Sequence, residues 1–117
     1  NNCYYSNIYI ISNFIKFENG LAVGIDGDII HSLNKREDLL PDSLKEKVMD
    51  RPNVILLGDQ ISDITMVSEN KKDEALKIGF CEENVEDNLK YFNKDYDVVC
   101  TDNVGFKELR DELKLFD

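Results

Sequence analysis

Short apolar runs recur in the second half of the chain, and a segment of helical character follows each of them. Runs 53–58 and 96–102 lack regular polar alternation, which is typical of strands buried within a parallel sheet. The pattern predicts strands over 53–58, 75–80 and 96–102, and helices over 63–67, 82–92 and from Phe106 to 115. This strand–helix alternation is half of a doubly wound α/β sheet.

The first half of the chain has shorter and less regular patterns. Residues 7–13, NIYIISN, are mostly β-branched or aromatic and predict a strand. Three glycines interrupt the apolar pieces of 16–33, which predicts strand fragments joined by tight turns. A charged helix is predicted over 42–49, after Pro41, and Pro52 ends it.

The composition restricts the classes of partner. A length of 117 residues fits one domain, and the net charge is -10, from 14 basic and 24 acidic residues. Nucleic acid and anionic membranes attract basic surfaces, so we expect neither as a partner. A small anionic substrate stays compatible with this charge, because one lysine and one bound cation reverse the field locally.

The cysteines and the start of the chain suggest where the protein acts. Cys3, Cys81 and Cys100 are widely spaced, which is typical of reduced thiols and predicts a cytoplasmic location, and they offer too few ligands for zinc. The start NNCYYSN lacks the basic and long apolar regions of a signal peptide. The first residue is not Met, so we expect the chain to begin inside a longer reading frame or after processing.

The stretch NVILLGDQISDITM, residues 53–66, places two carboxylates after an apolar strand. Ligands of open α/β sheets bind beyond the carboxyl ends of the strands, so Asp59 and Asp63 can face one pocket. A pair of carboxylates with a substrate phosphate is a typical ligand set for Mg²⁺. The alternative is that Asp59 is a turn residue and Asp63 a helix N-cap.

GDQISD looks like the GDxxxD fourth motif of the haloacid dehalogenase (HAD) superfamily. Together with IISNFIKF, GLAVGIDGDIIHSLNK and LKIGFCEENVEDNLKYFNKDYDVVCTDN, it makes the chain resemble the C-terminal half of the cytosolic 5′-nucleotidase III, or pyrimidine 5′-nucleotidase, family. The resemblance covers nearly the whole chain and is loose only over 36–52. It implies an α/β, HAD-like Rossmannoid three-layer sandwich. That sandwich would be partial, lacking the nucleophile strand and the cap, with 1–117 as the C-terminal portion of one core domain.

The resemblance also implies roles for individual residues. Lys35 falls at the third motif, where a catalytic lysine contacts the phosphate, and a fixed ammonium there neutralises charge on a transferring phosphoryl group. Asp59 falls at the Mg²⁺-ligand position, and Asp63 at the second acidic position, which supports the metal or the lysine. Without the resemblance, Lys35 would be interpreted as a surface lysine in the charged run NKRED.

The implied activity is Mg²⁺-dependent hydrolysis of nucleoside 5′-monophosphates, of the pyrimidine or 7-methylguanosine type. In such enzymes the phosphoryl group passes to an aspartate of a DxD motif, and water then releases it. We expect that nucleophile outside this chain, in a missing N-terminal half that also carries the Ser/Thr second motif. The implied partners are therefore the nucleotide and that half of the same protein.

Several other residues are of types that often have catalytic or binding roles. Asp26–Gly27–Asp28 has the DxD form, but it lies in the glycine-rich hairpin and is interpreted as a turn with solvated acids. His31 is the only histidine, and a structural role is preferred to that of a catalytic base. The aromatic residues near the start are compatible with base stacking or with core packing. They are Tyr4, Tyr5, Phe14 and Phe17.

Two other classes of function stay open. The chain could be a catalytically dead HAD remnant that acts as a binding or regulatory module. A response-regulator receiver domain would need an acidic pair after its first strand, whereas the predicted first strand ends in Ser12–Asn13. The receiver hypothesis therefore ranks last.

Overall fold

The computed structural model describes residues 5–101 and 106–114. The chain divides into two compact units, residues 1–31 and residues 32–117. The assignment of 1–117 to one core domain stays a prediction.

The first unit contains an antiparallel hairpin of β1, Phe14–Glu18, and β2, Leu21–Asp26. Glu18 pairs with Leu21 across the two turn residues Asn19 and Gly20, whose φ angles are 49° and 81°. Two successive positive φ values define the type I′ turn that Asn-Gly favours in hairpins. The prediction of strand fragments joined by tight turns is thereby confirmed at Asn19–Gly20, whereas Gly24 lies within β2 rather than in a turn.

The strand predicted over 7–13 is wrong, because β1 begins only at Phe14. Residues 7–13 pair with no strand among the residues that the structure describes, and Ile8 to Ile11 are exposed. β-branched composition favours extended backbone, but a strand also needs a neighbour to satisfy its hydrogen bonds. Asn13 partly replaces such a neighbour: its side-chain amide donates to the Ile30 carbonyl (2.8 Å) and accepts from the Ile30 N–H (2.7 Å).

The second unit alternates strands and helices in the predicted order. Its regular elements are α1 (Asp42–Val48), β3 (Ile55–Gly58), β4 (Leu76–Phe80), α2 (Val85–Asp95), β5 (Val98–Cys100) and α3 (Phe106–Leu113). Short 3₁₀ helices lie at Glu37–Leu39, Ile61–Met66 and Glu69–Lys71. The segment predicted as a helix over 63–67 is the second of these, and it starts two residues early. The predicted ends at 102 and 115 lie outside the described residues.

The three strands of the second unit form a parallel sheet in the order β3–β4–β5. On one face, Gly79 of β4 lies against Phe92 of α2 and against Tyr96. On the other face, the fully buried Ile78 packs with Leu109 of α3. Helices on both faces of a parallel sheet make three layers.

The strand β3 is less buried than its sequence suggested. Leu56 and Gly58 are buried, whereas Ile55 and Leu57 are each 41% exposed. Within the described part of the chain β3 pairs only with β4, so its other edge has no strand beside it.

No helix among the described residues is long and apolar enough to cross a membrane.

Candidate active site

The GDQISD segment leaves the sheet at the carboxyl end of β3, as the sequence predicted. Gly58, the last strand residue, is tightly enclosed. A Cβ atom at Gly58 would lie 2.7 Å from the Cβ of Asp63 and would also collide with the hydroxyl of Tyr96. Glycine is therefore needed here, because any side chain at this position would keep Asp63 and Tyr96 from packing against the strand end.

Asp63 is the organising residue of this loop. Its side chain is only 3% exposed. Its Oδ2 atom accepts hydrogen bonds from the backbone N–H groups of Asp59 and Gln60, both at 3.2 Å. Its Oδ1 atom accepts from Nζ of Lys35 at 3.1 Å. A buried carboxylate needs such donors to compensate for lost hydration, and here they come from two separate segments.

Lys35 reaches this carboxylate from the irregular segment before the 3₁₀ helix Glu37–Leu39. Its side chain remains 42% exposed although it forms an ion pair with the buried Asp63. An ammonium has three N–H donors, and Asp63 accepts from one of them. Lys35 can therefore bind an anion from the solvent side while it holds Asp63.

Asp59 differs from Asp63 in its exposure. Its backbone N–H is held by Asp63, while the residue itself is exposed and lines a cavity of about 390 Å³. Two further carboxylates, of Glu82 and Glu83, line the same cavity, whereas Lys35 does not. Asp59 thus lies, exposed, at the wall of an acidic cavity.

The donor set suits Mg²⁺ only in part. Asp59 offers the oxygen ligands that a hard cation prefers, whereas both oxygens of Asp63 already accept hydrogen bonds. Among the described residues no three His, Cys, Asp or Glu side chains are grouped so that they could hold a metal ion. A metal at this place would therefore take further ligands from water, substrate or residues elsewhere.

Tyr96 supports the loop from the interior, and sequence reasoning missed it. Its hydroxyl donates to the carbonyl of Gln60 at 2.6 Å, and its ring stacks on Phe92 with 5.3 Å between centroids. Burial, with the nearby charges of Asp63 and Asp59, raises the pKa of Tyr96 to about 12. The phenol therefore stays a neutral donor at all physiological pH values.

The other residues singled out in the sequence lie apart from this loop in the chain. Asp26 ends β2, and its exposed carboxylate forms an ion pair with Lys16 at 3.0 Å. Phe14 and Phe17 are exposed in the hairpin, so the described structure does not show the core packing considered for them. Tyr5 is also exposed, and Tyr4 lies outside the described residues. His31 is the last residue of the first unit.

Comparison with known proteins places this chain in a family. A model of the family described as "Pyrimidine 5′-nucleotidase (UMPH-1)" matches residues 1–114. The chain belongs to the pyrimidine 5′-nucleotidase family. The resemblance that rested on GDQISD and on the other matching stretches along the chain is thereby confirmed.

Relatives within the pyrimidine 5′-nucleotidase family cover most of this chain. It is 34% identical over 99 residues to the 7-methylguanosine phosphate-specific 5′-nucleotidase B of Xenopus laevis, a match of 82% of this chain and 34% of that protein. It is 32% identical over 119 residues to the Drosophila melanogaster 7-methylguanosine phosphate-specific 5′-nucleotidase, covering 99% of this chain and 37% of that protein. The chain thus spans about a third of the length of these curated relatives.

A solved structure from the same group supports the fold. Cytosolic 5′-nucleotidase IIIB bound to cytidine superimposes with a TM-score of 0.74 and 31% sequence identity. The match covers 95% of this chain and 38% of that one. The predicted fold class, a partial HAD-like α/β sandwich, is confirmed by this similarity.

Proposed function

We propose that this chain is the C-terminal part of a phosphatase that hydrolyses nucleoside 5′-monophosphates to nucleoside and phosphate. The observation that carries the proposal is the Lys35–Asp63 ion pair beside the exposed Asp59 at the carboxyl end of β3. Relatives named for 7-methylguanosine phosphate and a relative solved with cytidine support two substrate types. These are 7-methylguanosine monophosphate and pyrimidine monophosphates such as CMP and UMP.

In this proposal Lys35 is the catalytic and phosphate-binding cation. The transferring phosphoryl group carries negative charge, and a preplaced ammonium stabilises that charge without reorganisation during the reaction. The contact with Asp63 fixes the ammonium, and the exposed side of Lys35 leaves donors for the phosphate oxygens. Lys35 also offsets the strongly negative charge of the chain at the point where an anionic substrate must bind.

Asp59 is the residue that we propose as a ligand of Mg²⁺. When bound, the cation would neutralise charge on the phosphate. Asp63 would act next to it mainly by fixing the backbone of Asp59 and the ammonium of Lys35, because each of its oxygens accepts hydrogen bonds from those groups. This keeps Asp63 in the metal site as a supporting residue.

The nucleophile is proposed to be an aspartate outside this chain. Its carboxylate would attack phosphorus, the bond from phosphorus to the nucleoside 5′-oxygen would break, and a neighbouring acid would protonate that oxygen. Water would then release phosphate from the acyl phosphate. We propose that the nucleophile strand lies along β3, where Ile55 and Leu57 are half-exposed and the described structure has no neighbouring strand.

We propose that the enzyme acts in the cytoplasm. The thiols of Cys81 and Cys100 are free and buried, which suits a reducing compartment. Burial also raises the pKa of the Cys100 thiol, which keeps it protonated and unreactive.

The experiment is to measure phosphate release by the longest polypeptide that the transcript encodes. CMP, UMP and 7-methylguanosine monophosphate are offered with Mg²⁺, after chelation with EDTA, and after Mg²⁺ is restored. We expect release from at least one of these substrates that stops with EDTA and returns with Mg²⁺. No release from any of them by the folded protein would contradict the proposal and favour the binding-module alternative.

A further inference from the structure

A second ion pair lies close to Lys35 in sequence and is more deeply placed. Lys71 is buried, and its Nζ atom donates to Oε1 of Glu37 at 2.8 Å and to the carbonyl of Val48 at 3.0 Å. The other Glu37 oxygen, Oε2, accepts from the hydroxyl of Ser68 at 2.8 Å and from its N–H at 3.4 Å. The charged groups of Glu37 and Lys71 are thus both hydrogen-bonded within the protein.

The connections of this pair join the two segments that make the site. Glu37 lies two residues after Lys35, while Ser68 and Lys71 follow the 3₁₀ helix that contains Asp63. The first segment is therefore attached to the second at two points, by Lys35 to Asp63 and by Glu37 to Ser68 and Lys71. Two attachments fix the direction of a short segment, whereas one leaves it free to rotate.

The contact between Lys35 and Asp63 needs such help. An ion pair with one partner as exposed as Lys35 contributes little by itself, because solvent screens it and a lysine side chain loses entropy when it is held. The residues around Lys35 form turns and a short 3₁₀ helix, without the hydrogen bonds of a sheet. Both partners of the Glu37–Lys71 pair are much less exposed than Lys35, and that pair attaches the same segment a second time.

We propose that Glu37 and Lys71 are positioning residues, whose buried ion pair holds Lys35 against Asp63 and so places its ammonium for a phosphate. The catalytic part of this inference rests on the proposed nucleotidase function, but the placement of Lys35 does not. Burial by itself would raise the pKa of the Glu37 carboxyl, yet the hydrogen bonds from Lys71 and Ser68 more than offset this and lower it. The carboxylate therefore stays charged at neutral pH, as the pairing requires.

The first test measures the chemical accessibility of Lys35 without any enzyme assay. The folded full-length protein is acetylated briefly, and the modification of each lysine is measured by mass spectrometry. The variants are Glu37→Gln, Lys71→Met and the double variant, which removes both charges and leaves neither one buried alone. Glu69→Gln is the matched control, because it breaks the exposed pair with Lys72 in the same region.

We expect acetylation of Lys35 to rise several-fold in all three variants while acetylation of the remote Lys94 stays unchanged. Lys71→Arg, which retains the charge, should restore the wild-type value, and Glu69→Gln should leave it unaltered. Unchanged acetylation of Lys35 in a folded double variant would overturn the proposal. So would an equal rise at Lys35 and Lys94, since that would indicate general loosening of the fold.

The second test separates positioning from folding in the active enzyme. The inhibition constant of inorganic phosphate does not depend on how much enzyme is folded, whereas the maximal rate does. We expect Glu37→Gln to weaken inhibition by phosphate and to lower kcat/KM for the nucleotide by a similar factor. A wild-type inhibition constant together with a reduced maximal rate would assign the pair to folding alone. If no variant or wild-type protein hydrolyses nucleotides, the proposed function fails while the acetylation result still decides the placement.

Discussion

The ammonium of Lys35 lies 3.1 Å from the carboxylate of Asp63, although 28 positions separate them in the chain. This contact joins an irregular, charged segment to the loop that follows β3. Asp63 holds the backbone of Asp59 at the same time. One buried carboxylate thus positions both groups that we propose for phosphate and Mg²⁺ binding.

The close packing at Gly58 gives the first prediction. Gly58→Ala should displace Asp63 or Tyr96, because the new Cβ atom would lie 2.7 Å from the Cβ of Asp63. We expect a loss of about 1–3 kcal/mol in the free energy of unfolding, as for other overpacked sites. Urea denaturation measures this loss.

Gly24→Ala is the matched control for that experiment. Gly24 also lies at a strand position, but a Cβ atom there would have no neighbour within 4 Å. We expect its unfolding midpoint to stay close to that of the wild type. Equal effects of the two substitutions would show that Gly58 is not closely enclosed.

Tyr96→Phe tests the support beneath the loop. The substitution keeps the ring that stacks on Phe92 but removes the hydrogen bond to the Gln60 carbonyl, so it should cost about 1 kcal/mol of stability. The folded pKa of about 12 exceeds the ordinary value of 10.0, so the wild type should lose stability as the pH rises from about 10 to about 12. Urea denaturation across this pH range should show that Tyr96→Phe loses less free energy of unfolding than the wild type. An equal loss in both proteins would contradict the raised pKa of Tyr96.

Glu37 should contribute to stability at the acidic end of the pH range. Burial by itself raises the pKa of Glu37, and the hydrogen bonds from Lys71 and Ser68 lower it. The lowering is larger, so the pKa lies below the ordinary 4.5. Its contribution is therefore complete above the unfolded-state pKa and is lost as the pH falls through the lower folded value. We expect the melting temperature of Glu37→Gln to fall less steeply with decreasing pH below 4.5 than that of the wild type. If the melting temperatures of the two proteins fell in parallel below this pH, the result would contradict a stabilising ion pair at Glu37.

Asp59 should respond to the concentration of Mg²⁺. Asp59→Asn removes a negative charge from the exposed end of the loop. If Asp59 binds Mg²⁺ as we propose, turnover by the full-length protein should fall sharply and excess Mg²⁺ should partly restore it. Asp73→Asn, at an exposed position, serves as the control. Unchanged kinetics in Asp59→Asn at limiting Mg²⁺ would contradict its assignment as a metal ligand.

The sheet could be predicted because its strands are short apolar runs with clear ends. Runs 53–58 and 75–80 contain β3 and β4. The apolar side of the predicted helix includes Phe92, which is buried against the sheet. The prediction failed over 7–13, where the composition favours extended backbone but the described structure supplies no pairing strand. Strand formation depends on a distant neighbour, which local composition does not reveal.

The sequence named three residues of the candidate site but not the contacts between them. Asp59 and Asp63 were singled out by their place after an apolar strand, and Lys35 by the family resemblance. The hydrogen bonds that both oxygens of Asp63 accept followed only from the folded loop. Glu37 is hidden in the charged run NKRED, and Tyr96 stands at the edge of a predicted strand. Their roles arise from contacts between segments 31 and 36 positions apart, and no local pattern encodes such contacts.

The turnover of CMP by the full-length protein and its Lys35→Met variant tests the central claim most directly. Methionine keeps an unbranched side chain, one atom shorter, and removes the charge. Lys94→Met controls for the loss of a surface lysine. We predict that Lys35→Met lowers kcat/KM by about 100-fold or more, the scale for removing a group that stabilises transition-state charge, while Lys94→Met stays at the wild-type value. Equal turnover in the two variants would contradict a phosphate-binding role for Lys35.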